Sequence, residues 1–189
     1  MKIFESGLSK ELCSDIFNWA TSYYYGIQGA HPLGFPKPIV TKTNASWDPK
    51  IVKDSRPVII YFPPDEIVKK LKEEFVRLDI VSMNDALQIM VFLWTPGAYI
   101  PLHSDGFAET DRKVFTSYIN PKWSLEDGGT FNYLDKNDNK WKVLVPSQGL
   151  LVYNDDNEKH YTTPVSEGSL RVSLQMFTRT TPPAGSAKK

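Results

Sequence analysis

The chain has 189 residues, 41% hydrophobic and 23% charged, which is the make-up of an ordinary globular protein with length enough for a buried core. Its 22 basic and 22 acidic residues cancel, so no broad field favours nucleic acid or an anionic membrane surface. Cys13 is the single cysteine; this excludes an internal disulfide and a cysteine zinc cluster. With no secretory or spanning pattern in view, it predicts a reducing, cytoplasmic compartment.

Taken in chain order, apolar residues at Leu12, Ile16, Phe17 and Ala20 recur with helical spacing and predict a helix from Ser9 to about Tyr24. Ser9 is its expected N-cap, and Cys13 falls inside it as a small core residue. Residues 26–49 are rich in Gly, Pro and turn formers and read as a long loop with one short strand, either a binding loop or lid or a plain connector. "VIIYF" at 58–62 predicts a strand. "PPDEIVKKLKEEFVRL" then predicts a helix with Ile67, Leu71, Phe75 and Leu78 on its apolar face.

After residue 86 the texture changes. Short strands are expected at 87–94, 114–119, 129–134, 141–145, 149–153 and 169–177, separated by turn signals such as "DGG" and "DKNDNK". Strands of this length and spacing suggest a sandwich or barrel. Helices first and strands later give an α+β, mainly β class with the helices on one face. A single domain is expected over 1–180, with a helical and loop part to about 85 and a β core from 86 to 178. The tail 181–189 is expected to be disordered.

The chain holds three histidines. His103 stands two residues before Asp105 in "PLHSDGF", and in extended backbone i and i+2 share a face. His160 follows 57 residues later. Two histidines and a carboxylate are the facial set that non-haem Fe(II) oxygenases use, with positions left open for other ligands. An H-x-D pair alone is a weak signal. Arg171, eleven residues after His160 across the "PVSEGS" turn, strengthens it. A hairpin would return Arg171 beside the His160 strand, roughly 7 Å from the metal. The strand alternates: Arg171, Ser173 and Gln175 face one way, Leu170, Val172, Leu174 and Met176 the other. The polar face is either solvent-exposed or the lining of a cavity. In a cavity, Arg171 would grip a carboxylate as a planar fork, and the Tyr118 hydroxyl would donate to the same group. A core aromatic is the alternative reading of Tyr118. Gly128 and Gly129 are expected to serve a tight turn or a close backbone approach.

With these residues in hand, "HSD" at 103, "SYINPKW" from 117, "GGTF" from 128, His160 and "RVS" at 171 resemble the Fe(II)- and 2-oxoglutarate-dependent dioxygenases, in their prolyl 4-hydroxylase-like branch. The resemblance runs over roughly residues 85–178. It implies a double-stranded β-helix, or jelly roll, flanked by N-terminal helices. It implies metal ligands at His103, Asp105 and His160, and a cosubstrate anchor at Arg171 with Tyr118 and Ser173. Arg171 stands where animal and plant prolyl hydroxylases usually carry lysine. The implied cofactors are Fe(II), 2-oxoglutarate and O2, with ascorbate as a candidate reductant. The implied activity is hydroxylation of an unactivated C–H bond, with release of succinate and CO2. The substrate would be peptidyl, a prolyl residue being the first candidate, or a small molecule; no nucleic acid or membrane partner is expected. Aromatic residues in the 26–49 loop, Phe35 and Trp47, would close over the open metal face, and His31 would not be a ligand. Two other readings stay open: a cupin-like metal enzyme without 2-oxoglutarate, and a non-catalytic β-sandwich binding module.

Overall fold

The first amphipathic stretch folds close to its expected bounds. After strand β1 (Lys2–Phe4), helix α1 spans Lys10–Tyr24, and the Leu12 amide approaches the Ser9 hydroxyl at 3.4 Å. Cys13, Ile16 and Ala20 are fully buried along one stripe of it. Burial also pushes the Cys13 thiol up to about 12, as for an inert core residue. Strand β2 (Pro38–Thr43), helical turn α2 (Asn44–Trp47) and strand β3 (Pro57–Tyr61) follow. The helical turn is a departure from the expected loop. Helix α3 (Asp65–Arg77) has acids in its first turn and Arg77 in its last, which suits the helix dipole. Ile67, Leu71 and Phe75 are its buried residues, and Leu78 caps its C-terminus.

The rest is antiparallel sheet: β4 (Ala86–Trp94), β5 (Arg112–Tyr118), β6 (Phe131–Asp135), β7 (Lys140–Leu144), β8 (Leu151–Asn154), β9 (His160–Thr162) and β10 (Arg171–Arg179). This computed structural model describes residues 1–5, 7–26, 38–48, 50, 56–104, 112–154 and 158–179. Asp105, His31, Phe35 and the tail 181–189 lie outside them. Among the described residues, one sheet has seven strands in the order β1-β8-β5-β10-β4-β3-β2, and a second has three, β7-β6-β9. The architecture is α+β and mainly β. No described helix is long and apolar enough to cross a membrane.

Strand register divides the large sheet into two unlike faces. Val91, Leu93, Val172, Leu174 and Met176 pack with Ile16, Trp19, Ile67, Leu71 and Phe75 of α1 and α3. The opposite face carries Val58, Ile60, Phe92 and Trp94 in one apolar cluster. It also carries Tyr118 and Val152 in another, which Phe131 of the small sheet joins. The small sheet therefore closes over the face the helices leave uncovered.

The predicted hairpin between the His160 and Arg171 strands does not form. β9 pairs with β6, whereas β10 lies between β4 and β5 in the large sheet. Residues 163–170 are a crossover between sheets. The physical reason is burial: Arg171, Ser173 and Leu174 are all 2% exposed or less. A strand buried on both faces belongs in the middle of a sheet, with hydrogen-bonding partners on both edges.

Phe75 is 1% exposed in the cluster that joins the helices to the large sheet. Phe75→Ala is expected to lower unfolding free energy by about 3–5 kcal/mol, measured by urea denaturation followed by circular dichroism.

Candidate active site

Two of the three histidines meet at the edge of the small sheet. The His103 amide donates to the His160 carbonyl at 3.0 Å, and the His160 amide donates to the His103 carbonyl at 2.9 Å. This reciprocal pair holds the two imidazoles side by side, with ring centroids 4.3 Å apart. Each Nδ1 is tied locally, His103 to the Pro101 carbonyl at 2.9 Å and His160 to the Glu158 carbonyl at 2.8 Å. A carbonyl only accepts, so each Nδ1 is the donor. A neutral ring then carries its lone pair on Nε2, the form in which imidazole binds a metal. Phe131 stacks on His160 at 5.1 Å and fixes that ring from the other side.

Arg171 is buried in the middle of the large sheet. It is 2% exposed, yet no carboxylate among the described residues pairs with it. Its NH1 donates to the Gly129 carbonyl at 2.6 Å, and its Nε has no partner there. The guanidinium lies over the Trp94 ring at 4.5 Å and near the Tyr118 ring at 5.5 Å. Burial lowers its pKa to about 10, so it remains a cation at neutral pH. The Tyr118 hydroxyl is buried without a partner among the described residues, and burial pushes its pKa up to about 12 against the opposing pull of Arg171. It is a protonated donor at any working pH. Trp94 donates through Nε1 to Ser173 Oγ at 2.9 Å. That contact leaves the Ser173 proton for a further acceptor. One cation and two hydroxyl donors thus share one face of three adjacent strands, where Arg171 pairs with Trp94 and Ser173 with Tyr118.

Two local features aim the arginine. Gly128 and Gly129 have φ of +65° and +56°. A Cβ on Gly128 would lie 2.2 Å from the Pro164 carbonyl, and one on Gly129 would lie 3.1 Å from Arg171 Cδ. The close approach expected of this glycine pair is therefore real. Asn120 brackets the arginine: it donates to the Leu170 carbonyl at 2.7 Å and accepts from the Val172 amide at 2.7 Å.

A cavity of about 400 Å³ opens in front of His103, lined also by Trp47, Met90, Phe92, Ile100 and Gln175. Trp47, from the stretch expected to be a loop, is one of these lining residues. A wider groove of about 800 Å³ runs between α1 and α3, with Glu11, Asp15, Lys70 and Glu73 on its walls. It lies on the helical face and contains neither histidine.

The structure therefore brings His103 to His160, and Arg171 to Tyr118 and Ser173. The arginine and His160 belong to different sheets, rather than to one hairpin. Asp105 lies outside the described residues, among which no cluster of three or more metal-binding side chains occurs. Sequence reasoning missed Trp94 as the platform under the guanidinium, and missed Asn120 as its bracket. Trp94 reads as the last apolar residue of a strand, and only the register of β4 against β10 reveals its role. Asn120 had a usable signal, a polar residue straight after an apolar strand in "SYIN".

Asn120→Ala would strand the buried Leu170 carbonyl and Val172 amide. A loss of about 2 kcal/mol or more in unfolding free energy is expected, read from urea denaturation.

No family model and no curated protein matches the sequence. Solved structures do resemble the fold. A prolyl-4-hydroxylase from Pseudomonas putida is 17% identical, covering 95% of this chain and 92% of its own at a TM-score of 0.64. A prolyl hydroxylase from Trichoplax adhaerens, solved with a hypoxia inducible factor oxygen degradation domain peptide, is 16% identical, covering 94% and 82% at a TM-score of 0.63. An oxidoreductase of the 2OG-Fe(II) oxygenase family from Burkholderia pseudomallei is 12% identical, covering 93% of each chain at a TM-score of 0.54. Along nearly its whole length, this chain has the fold of prolyl-4-hydroxylase and other 2OG-Fe(II) oxygenase structures.

Proposed function

We propose that this protein is an Fe(II)- and 2-oxoglutarate-dependent dioxygenase of the prolyl 4-hydroxylase-like type. It hydroxylates an unactivated C–H bond and releases succinate and CO2. In this reading the two sheets are the halves of a jelly roll, and residues 1–180 form one domain. His103, Asp105 and His160 are the metal ligands and the catalytic set. Arg171, Tyr118 and Ser173 hold 2-oxoglutarate.

The observation that carries the reading is the Arg171 guanidinium, buried with no carboxylate beside it and with its Nε unpartnered among the described residues. Burying a lone cation is unfavourable by several kcal/mol, and a carboxylate arriving from outside would remove that deficit. The donor set fits the metal as well. Both histidines have Nδ1 committed to carbonyls, which suits Nε2 ligation of Fe(II).

When bound, the iron would supply oxygen activation, with 2-oxoglutarate as the source of two electrons. The chain's own residues do the rest. Arg171 and Tyr118 offer N–H and O–H donors to the distal carboxylate, and Ser173 adds its hydroxyl. Trp94 stacks against the guanidinium and excludes water from it. Phe131 and the two backbone carbonyls keep the imidazoles from turning. The apolar walls around His103 hold the C–H bond to be oxidised in a dry site. Since the Trichoplax prolyl hydroxylase of the same fold was solved in complex with a peptide, a peptidyl prolyl residue is the first substrate candidate here. O2 completes the cofactor set, and ascorbate is the candidate reductant. A cupin-like enzyme without 2-oxoglutarate would have no use for Arg171.

Anaerobic addition of Fe(II) and 2-oxoglutarate should produce a visible metal-to-ligand charge-transfer band. Admitting oxygen should then release succinate. His160→Ala should abolish the band, and Arg171→Ala should raise the 2-oxoglutarate concentration needed by roughly 10- to 100-fold. No band and no succinate from the native protein would refute the reading.

A further inference from the structure

The cavity in front of His103 carries a charge pattern that the cosubstrate anchor leaves unused. Its walls are apolar, with Ile60, Phe62, Met90, Phe92, Ile100 and Phe177 among them. No carboxylate lines it among the described residues, and Lys42 is the single lysine or arginine that does. Lys42 belongs to β2, the edge strand of the large sheet. Register sets it beside Val58, and Val58 beside Trp94, on the cavity face.

The lysine is held over an aromatic platform. Its Nζ lies 5.7 Å from the Trp47 ring centroid. Trp47 stacks on Trp94 at 5.9 Å with an interplanar angle of 11°. Trp94 in turn carries the Arg171 guanidinium at 4.5 Å. Two cations therefore sit in series along a pair of stacked indoles, one sealed in the wall and one exposed at the mouth. No acidic side chain among the described residues pairs with Lys42. The rim around it is apolar and open, with Ile39, Val40 and Phe62 between 43% and 53% exposed. A neutral or cationic substrate would leave this lysine without a use.

We propose that Lys42 is an outer anion site for the substrate. The cavity takes an apolar body toward His103, and Lys42 binds a carboxylate carried at the substrate's trailing end. This deepens the oxygenase reading, in that it adds a preference at the same site for a substrate, peptidyl or small, that carries a carboxylate behind its apolar part. An uncharged amide of the same shape enters the same cavity but forgoes the ion pair. Arg171 is buried against Trp94 and is not among the residues that line this cavity, so the two anion sites are separate.

The test is a fluorescence titration of the native protein, since Trp47 lines the cavity. The probes are 4-phenylbutanoate and its isostere 4-phenylbutanamide, at low ionic strength and with neither iron nor 2-oxoglutarate added. The acid should bind roughly two- to fivefold tighter than the amide, as expected for an exposed ion pair. Lys42→Met should bring that ratio to one with amide binding unchanged, and Lys42→Arg should restore it. Glutarate, which matches the Arg171 site, should not displace the acid. A ratio near one in the native protein, a ratio that survives Lys42→Met, displacement by glutarate, or no binding of either probe would each overturn the proposal. Failure of the oxygenase reading shows separately, as absence of 2-oxoglutarate-dependent succinate release.

Discussion

A guanidinium buried without a carboxylate is expensive, and the rest of this structure is arranged around one. Arg171 sits in the central strand of the large sheet, with every adjacent residue committed to holding it. Trp94 and Tyr118 give it aromatic faces, the Gly129 carbonyl takes one N–H, and Asn120 fixes the backbone on either side. None of these groups carries a negative charge. Cation–π contacts and one charge-assisted hydrogen bond offset only part of the desolvation of a cation. The guanidinium Nε has no partner among the described residues.

The large sheet separates stability from chemistry by strand alternation alone. On β10, Val172, Leu174 and Met176 join the helices in the largest apolar cluster. Arg171, Ser173 and Gln175 lie on the other face, under the small sheet. The small sheet contributes His160 through β9, and the reciprocal backbone hydrogen bonds to His103 recruit the second imidazole from the segment after β4. Phe131 links the halves physically, since it stacks on His160 and packs in the cluster of Tyr118. A change at the glycine pair before β6 would be felt by both the arginine and the histidine.

Much of this was legible in the sequence. The two amphipathic helices, seven of the strands and the class of the fold follow from spacing and turn chemistry. The alternation on β10 raised the choice between a solvent face and a cavity lining, and the burial of Arg171 and Ser173 excludes the solvent face. Three things were not legible. β9 has only three residues, too few for a periodic signal, and reading its neighbour as a hairpin partner put Arg171 in the wrong sheet. Local sequence favours the nearest antiparallel partner, but burial on both faces favours the sheet centre, and here burial wins. The turn Asn44–Trp47 was hidden in a stretch rich in Gly and Pro. Asn44 is fully buried there, and its side chain bonds the Gly97 carbonyl and the Tyr99 amide, a tertiary reason for local helix that no propensity encodes. Trp94 could not be told from core, because its partners Ser173 and Arg171 lie far along the chain.

In the proposed function, Arg171 binds a carboxylate and the paired imidazoles of His103 and His160 bind iron. A crystal structure of the native protein soaked with Mn(II) and 2-oxoglutarate addresses both halves at once. The account predicts anomalous density bonded to Nε2 of His103 and of His160, and the distal carboxylate on Arg171 and Tyr118. Metal bound away from the two histidines, or a carboxylate held elsewhere with the Arg171 edge still vacant, would contradict it.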